Sequence, residues 1–97
     1  MPLTERLTLA KPDDWHLHLR DAELLRRVVP DSARRFGRAI IMPNLRPPIT
    51  TTDLARRYRD RIFAAVPDGL NFQPLMTLFL TDETSPAEIA KAKASGL

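Results

Sequence analysis

The sequence predicts an α/β fold built on a parallel sheet, and two observations carry that prediction. Short apolar, strand-like runs alternate with stretches whose apolar residues recur at helical spacing, in the order strand, helix, strand, helix, strand, helix. The strand-like runs also start about 25 to 35 residues apart, which leaves room for a right-handed crossover helix between parallel neighbours. No repeat and no flexible linker divides residues 1–97, so they read as one domain or part of one.

Taken in order, Arg6-Leu7-Thr8-Leu9 has the form of a short β segment, and Lys11-Pro12-Asp13 turns the chain into the strand that holds both histidines. Along Asp13 to Asp21 the side chains alternate between faces, which groups Asp14, His16, His18 and Arg20 against Trp15, Leu17 and Leu19. The two imidazoles then stand roughly 6.5 Å apart on one surface, and Trp15 falls on the opposite face as a packing residue. Leu24, Leu25, Val28 and Val29 start an amphipathic helix; Pro30 interrupts it, Ala33 and Phe36 resume it, and Gly37 suits its stop.

Arg38-Ala39-Ile40-Ile41-Met42-Pro43 is the nearly continuous apolar run of a parallel strand covered on both faces, and it ends in Asn44. Leu45-Arg46-Pro47-Pro48-Ile49 must be a rigid surface loop, because each proline removes a donor and restricts its predecessor. Thr50, Thr51 and Thr52 offer caps for a helix carrying Leu54, Tyr58, Ile62, Ala65 and Val66 up to Pro67-Asp68-Gly69. A third strand is expected from Phe72 to Leu80, with Pro74 near its start. Ser85-Pro86-Ala87-Glu88 forms a capping box with proline at the first helical position, opening a helix that runs to Gly96.

Composition narrows the chemistry. The chain has no cysteine, so disulfides and thiolate metal sites are excluded and any metal must use histidine and carboxylate. The start shows no signal-peptide pattern and no window approaches a membrane span, so the expectation is a soluble, cytoplasmic protein with no membrane partner. The net charge is +3, and the arginines cluster at Arg26-Arg27, Arg34-Arg35 and Arg56-Arg57-Arg59-Arg61. These clusters read as solvated helix faces rather than a nucleic-acid footprint, since no stacking aromatics accompany them. A phosphate loop, a nucleophile elbow and a CxxC pair are all missing.

What remains is the histidine strand. His16 and His18 fit either the polar face of an ordinary half-buried strand or two ligands of one divalent ion. Arg20 could pair with Asp21 or Asp14, or bind an anion, and Asn44 could cap its own loop or face a ligand. The strand spacing suits units of a (β/α)₈ barrel, in which the site lies at the carboxyl ends of the strands, where these residues fall.

DDWHLHLRD, then GRAIIMPNLRPPITT, then PLMTLFLTD resemble the amino-terminal portion of dihydroorotase of the bacterial single-function type, a member of the amidohydrolase superfamily. HLHLRD followed at this distance by MPN and a double proline is far more specific than HxH alone. The resemblance implies that residues 1–97 form the first three β/α units of a TIM (β/α)₈ barrel of the metal-dependent hydrolase type, truncated relative to the family. It implies a zinc enzyme that reversibly interconverts N-carbamoyl-L-aspartate and L-dihydroorotate in pyrimidine synthesis. His16 and His18 would be metal ligands; His18, Arg20 and Asn44 would bind substrate, with Arg20 and Asn44 on its carboxylate. The complete site is expected to hold two zinc ions bridged by a carboxylated lysine outside this chain, with every catalytic residue beyond Leu97. The complete protein is expected to be a homodimer acting on a small molecule and not on nucleic acid, with the isolated chain inactive. The competing expectations are a small basic α/β binding module for an anionic partner and a non-catalytic homologue.

Overall fold

The computed structural model describes residues 11–97, so the β segment expected at Arg6–Leu9 lies outside the described residues. The elements are β1 (Asp13–Leu17), α1 (Ala22–Arg35), β2 (Arg38–Ile41), α2 (Thr52–Ala65), β3 (Gln73–Met76) and α3 (Pro86–Ser95). The three strands are parallel in the order β1-β2-β3, with Ala39 opposite both Asp14 and Pro74. Alternation of strands and helices thus gives the parallel α/β sheet that the apolar periodicities call for.

The core lies between this sheet and the inner faces of α1 and α2. Leu25, Val29 and Ala33 from α1 meet Ala39 and Ile41 from β2, and Ala55, Tyr58 and Ile62 from α2 complete the cluster with Leu19, Ile49 and Phe72. These helical residues recur every three or four positions, which is how a helix presents one apolar stripe to a sheet. Each fully buried aliphatic side chain here contributes roughly 1.5–3 kcal/mol.

Several local expectations are corrected. Pro30 lies inside α1 and does not interrupt it: Val29 and Ala33 on either side are both fully buried, and their packing holds the helix through the lost donor. Gly37 is not a left-handed stop. Phe36 caps α1, and Gly37 instead enters the sheet, donating to the Pro12 carbonyl at 3.0 Å and accepting from the Gln73 N–H at 2.9 Å. Of β2, Ala39 and Ile41 are buried while Ile40 is only half-buried, so among the described residues the strand is fully covered on one face.

β3 stops at Met76, well short of Leu80. Beyond it, the Thr77 hydroxyl turns to the Ile41 carbonyl and Phe79 donates to the Ile49 carbonyl at 2.7 Å, so this stretch is held by loop contacts and not by a ladder. Trp15 is not packed: it is 54% exposed, with the Arg38 guanidinium 5.5 Å from its ring, and Arg38 also donates to Asp13 at 2.6 Å. Among the arginines grouped on the helices, Arg34, Arg56 and Arg61 pair with Asp31, Asp53 and Asp21. No helix among the described residues is long and apolar enough to cross a membrane.

Candidate functional site

The histidine strand does not alternate to its end. Asp14 stands opposite Ala39 and Leu17 opposite Ile41, so three residue steps on β1 match two on β2. Such a bulge re-aims the side chains that follow. The Asp14 carboxylate accepts from the His16 N–H at 3.0 Å, supplying a local partner for the backbone where the ladder is disrupted. Asp14 is therefore a support of the turn and not a fourth member of a flat polar face.

The consequence is a close approach of the two imidazoles. Their centroids are 4.9 Å apart, edge to face, and the Nε2 atoms of His16 and His18 are 3.1 Å apart. The ring separation is shorter than the roughly 6.5 Å between alternate residues of a flat strand. The Nε2 separation is also a fit for one metal ion: two nitrogens bound at 2.0–2.1 Å with a tetrahedral angle between them stand about 3.3 Å apart. Both rings are exposed, so an ion can reach them without opening the core. Among the described residues no group of three or more histidine, cysteine or acidic side chains comes together, so the pair does not by itself make a complete ligand set.

Arg20, expected to continue the strand face, has left it. Its φ is 62°, in the left-handed region that costs a non-glycine residue on the order of 1–3 kcal/mol, and its side chain is exposed. The Tyr58 hydroxyl, on a side chain only 1% exposed, reaches across from α2 and donates to the Arg20 carbonyl. Burial pushes the Tyr58 phenol up to about 12, and the Asp21 carboxylate adds to the shift, so Tyr58 remains a donor throughout the neutral range.

Asp21 pairs with Arg61 and not with Arg20. Its two oxygens accept from Arg61 Nε and Nη2, each at 2.9 Å, while Oδ1 also accepts from the Ala22 N–H at the start of α1. The Arg61 guanidinium lies 5.3 Å from the Tyr58 ring. Tyr58 and Arg61 are the residues that sequence reasoning passes over, and it weighs Asp21 only as a partner of Arg20. Tyr58 counts there only as part of an apolar stripe, although a buried tyrosine hydroxyl always raises the question of its partner.

Asn44 is exposed, three residues beyond the end of β2 and so at the same edge of the sheet as His18. The Pro43 carbonyl accepts from Leu45 at 2.9 Å and from Ile49 at 3.0 Å, which draws the proline loop into a compact turn. Ile49, 4% exposed, anchors that turn in the core. The sheet therefore brings His16 and His18 into contact and places Arg20 and Asn44 at the carboxyl ends of β1 and β2. Polar, exposed side chains gathered at one such edge are how parallel α/β sheets build ligand sites.

Comparison with known proteins gives a consistent result. No protein-family model matches the chain. Over 95 residues, 98% of this chain, it is 65% identical to the dihydroorotase of Methylobacillus flagellatus and 62% identical to that of Ruegeria sp., in each case covering 28% of the relative. The chain thus spans little more than a quarter of the length of the curated relatives it matches. Among solved structures, the dihydroorotase of Campylobacter jejuni superposes with a TM-score of 0.80 at 44% identity, over 88% of this chain and 25% of that one. The Saccharomyces cerevisiae dihydroorotase, solved in complex with 5-fluoroorotic acid, superposes with a TM-score of 0.78 at 31% identity, over 88% and 23%.

Proposed function

We propose, from the premise that this chain is homologous to an amino-terminal portion of dihydroorotase, that it supplies a metal-ligand pair and a substrate-carboxylate anchor to a zinc-dependent cyclic amidohydrolase. The reaction is the reversible interconversion of N-carbamoyl-L-aspartate and L-dihydroorotate, a step of pyrimidine synthesis. The three β/α units are read as the first three of a (β/α)₈ barrel whose active edge is the carboxyl end of the sheet.

The observation that carries this reading is the 3.1 Å approach of the His16 and His18 Nε2 atoms at that edge. The two residues would hold zinc, and the remaining ligands, a bridging carboxylated lysine and the catalytic aspartate would come from outside this chain. When bound, zinc supplies a Lewis acid for the amide carbonyl. Arg20 offers a planar, two-point contact to the substrate carboxylate, and the Asn44 amide offers a further donor. The yeast neighbour's 5-fluoroorotic acid, a pyrimidine bearing a carboxylate, supports that ligand class.

The test uses a full-length hybrid in which this chain replaces the matching segment of the Methylobacillus enzyme. His16→Ala and His18→Ala are each expected to lower bound zinc and to cut dihydroorotate hydrolysis by roughly a hundredfold or more, since even outer partners of metal ligands are worth 10- to 100-fold. Both should leave the circular dichroism spectrum in place. Undiminished zinc with full turnover would sink the assignment. The 97-residue chain by itself is expected to be inactive and at best a weak zinc binder, because His16 and His18 are its only imidazoles and it has no cysteine. Measurable turnover by that chain would show that the activity needs less protein than this reading requires.

A further inference from the structure

The left-handed conformation at Arg20 is maintained from α2. Its carbonyl accepts from Tyr58, and the next residue, Asp21, is gripped by Arg61 one helical turn further along the same helix. The two grips support each other, since the Arg61 guanidinium lies over the Tyr58 ring. Tyr58 is buried, so its hydroxyl has a fixed position, and without it the Arg20 carbonyl loses a partner 38 residues away in sequence. Arginine has no intrinsic preference for the left-handed region, so a chain released from this bond would relax toward extended or right-handed backbone. Rotating φ by that much re-aims the side chain completely.

We propose that Tyr58, backed by the Arg61–Asp21 pair, is a positioning residue that holds Arg20 in its left-handed conformation and so sets the direction from which its guanidinium meets the substrate carboxylate. Tyr58 touches no substrate atom. The proposal rests on the reading of Arg20 as the carboxylate anchor, and the two can fail separately.

The experiment is a double-mutant cycle in the full-length hybrid, with KM and kcat for dihydroorotate, zinc content and thermal melting as readouts. Tyr58→Phe, which removes one hydroxyl and keeps the ring, is expected to raise KM roughly five- to tenfold, the weight of one hydrogen bond. It should leave kcat within about twofold and zinc unchanged, as a loss confined to substrate binding requires. In the Arg20→Ala background the same change is expected to move KM no further, because there is no guanidinium left to aim. Arg61→Gln, which frees Asp21 without entering the core, should raise KM in the same direction by less. It carries the test if Tyr58→Phe fails to melt cooperatively. Equal effects of Tyr58→Phe with and without Arg20, or melting lowered with KM unmoved, would make Tyr58 a stabilising residue only and overturn the inference. If Arg20→Ala itself leaves KM unchanged, the carboxylate anchor is wrong, and the positioning claim falls with it for a distinguishable reason.

Discussion

α2 and α3 are both well-capped helices, yet α2 buries Thr52, Ala55, Tyr58 and Ile62, and α3 buries nothing. The caps are alike in kind. Thr51 accepts from the Leu54 N–H at the head of α2, and Ser85 accepts from the Glu88 N–H at the head of α3. Capping therefore explains why each helix starts where it does, and packing explains why only α2 belongs to the core. Around α3, Phe79, Leu80 and Ile89 are 39%, 62% and 51% exposed. Large apolar side chains also stand exposed on the β1–α1–α2 side, at Trp15, Leu24 and Phe63, so what distinguishes the two sides is the buried helix face of α2 and the polar contacts that tie down Arg20 and Asp21.

The sharpest way to break this contrast is a matched pair of truncations in the full-length hybrid. Ile62→Ala is expected to cost about 2–5 kcal/mol by urea denaturation, because it empties a fully buried site. Ile89→Ala should stay within about 0.5 kcal/mol. An equal loss at Ile89 would show that the rest of the protein covers α3, and the contrast would then belong to this chain alone.

Arg20→Lys tests the functional side of the same contrast. An ammonium cannot reproduce the planar two-point contact, so dihydroorotate binding should weaken by about 1–3 kcal/mol while bound zinc is unchanged. Equal binding after the change would remove Arg20 from the site.

A smaller effect is expected at Glu88, which joins the two regions beside the Lys91–Asp53 ion pair. Its carboxylate accepts from the Thr52 hydroxyl at 2.6 Å and the Thr52 N–H at 3.0 Å, and these bonds hold it below its ordinary value of 4.5, with Lys91 assisting. A depressed carboxylate stabilises the fold in full above pH 4.5, and that contribution disappears as the pH falls through the lower, folded value. Glu88→Gln should therefore lower the urea midpoint at about pH 7 and flatten the decline toward about pH 3. Parallel pH profiles for the two proteins would rule out this role.

The smallest effect belongs to Asp13 and Arg38. The Arg38 hydrogen bond holds the Asp13 carboxyl below 3.8, but the pair is partly open to water. Asp13→Asn should give a slight fall in melting temperature that vanishes near roughly 1 M salt, where screening reaches about 3 Å. A shift that persists there would mean that the pair acts through packing with Trp15.

These regions also differ in how much the sequence discloses. The stripe Leu54, Tyr58, Ile62 marks α2 and its buried face, because packing repeats at the helical period and leaves a pattern in a short window. The carboxyl-edge placement of His16, His18 and Asn44 follows from strand boundaries alone. The bulge after Asp14 does not, since it depends on a register against β2, which begins at Arg38, 25 residues beyond the start of β1 at Asp13. The fate of Glu88 is equally hidden. The capping box looks only three residues back, to Ser85, whereas the carboxylate goes 36 residues back, to Thr52. Pro30 misleads for the complementary reason: the local penalty is visible, and the buried Val29 and Ala33 that outweigh it are visible only in three dimensions.

That long reach of Glu88 bears on how the chain is made. As the polypeptide leaves the ribosome, the first turn of α2 emerges with Thr51 as its only cap, and the carboxylate that completes it is 36 residues behind. At roughly 5–20 residues per second, the wait is about 2 to 7 seconds. Until β3 (Gln73–Met76) follows, α2 has to be held by Tyr58 and Ile62 against a sheet of two strands, so newly made chains paused within residues 62–72 should be far more open to proteases at Thr50–Asp53 than chains that have passed Glu88.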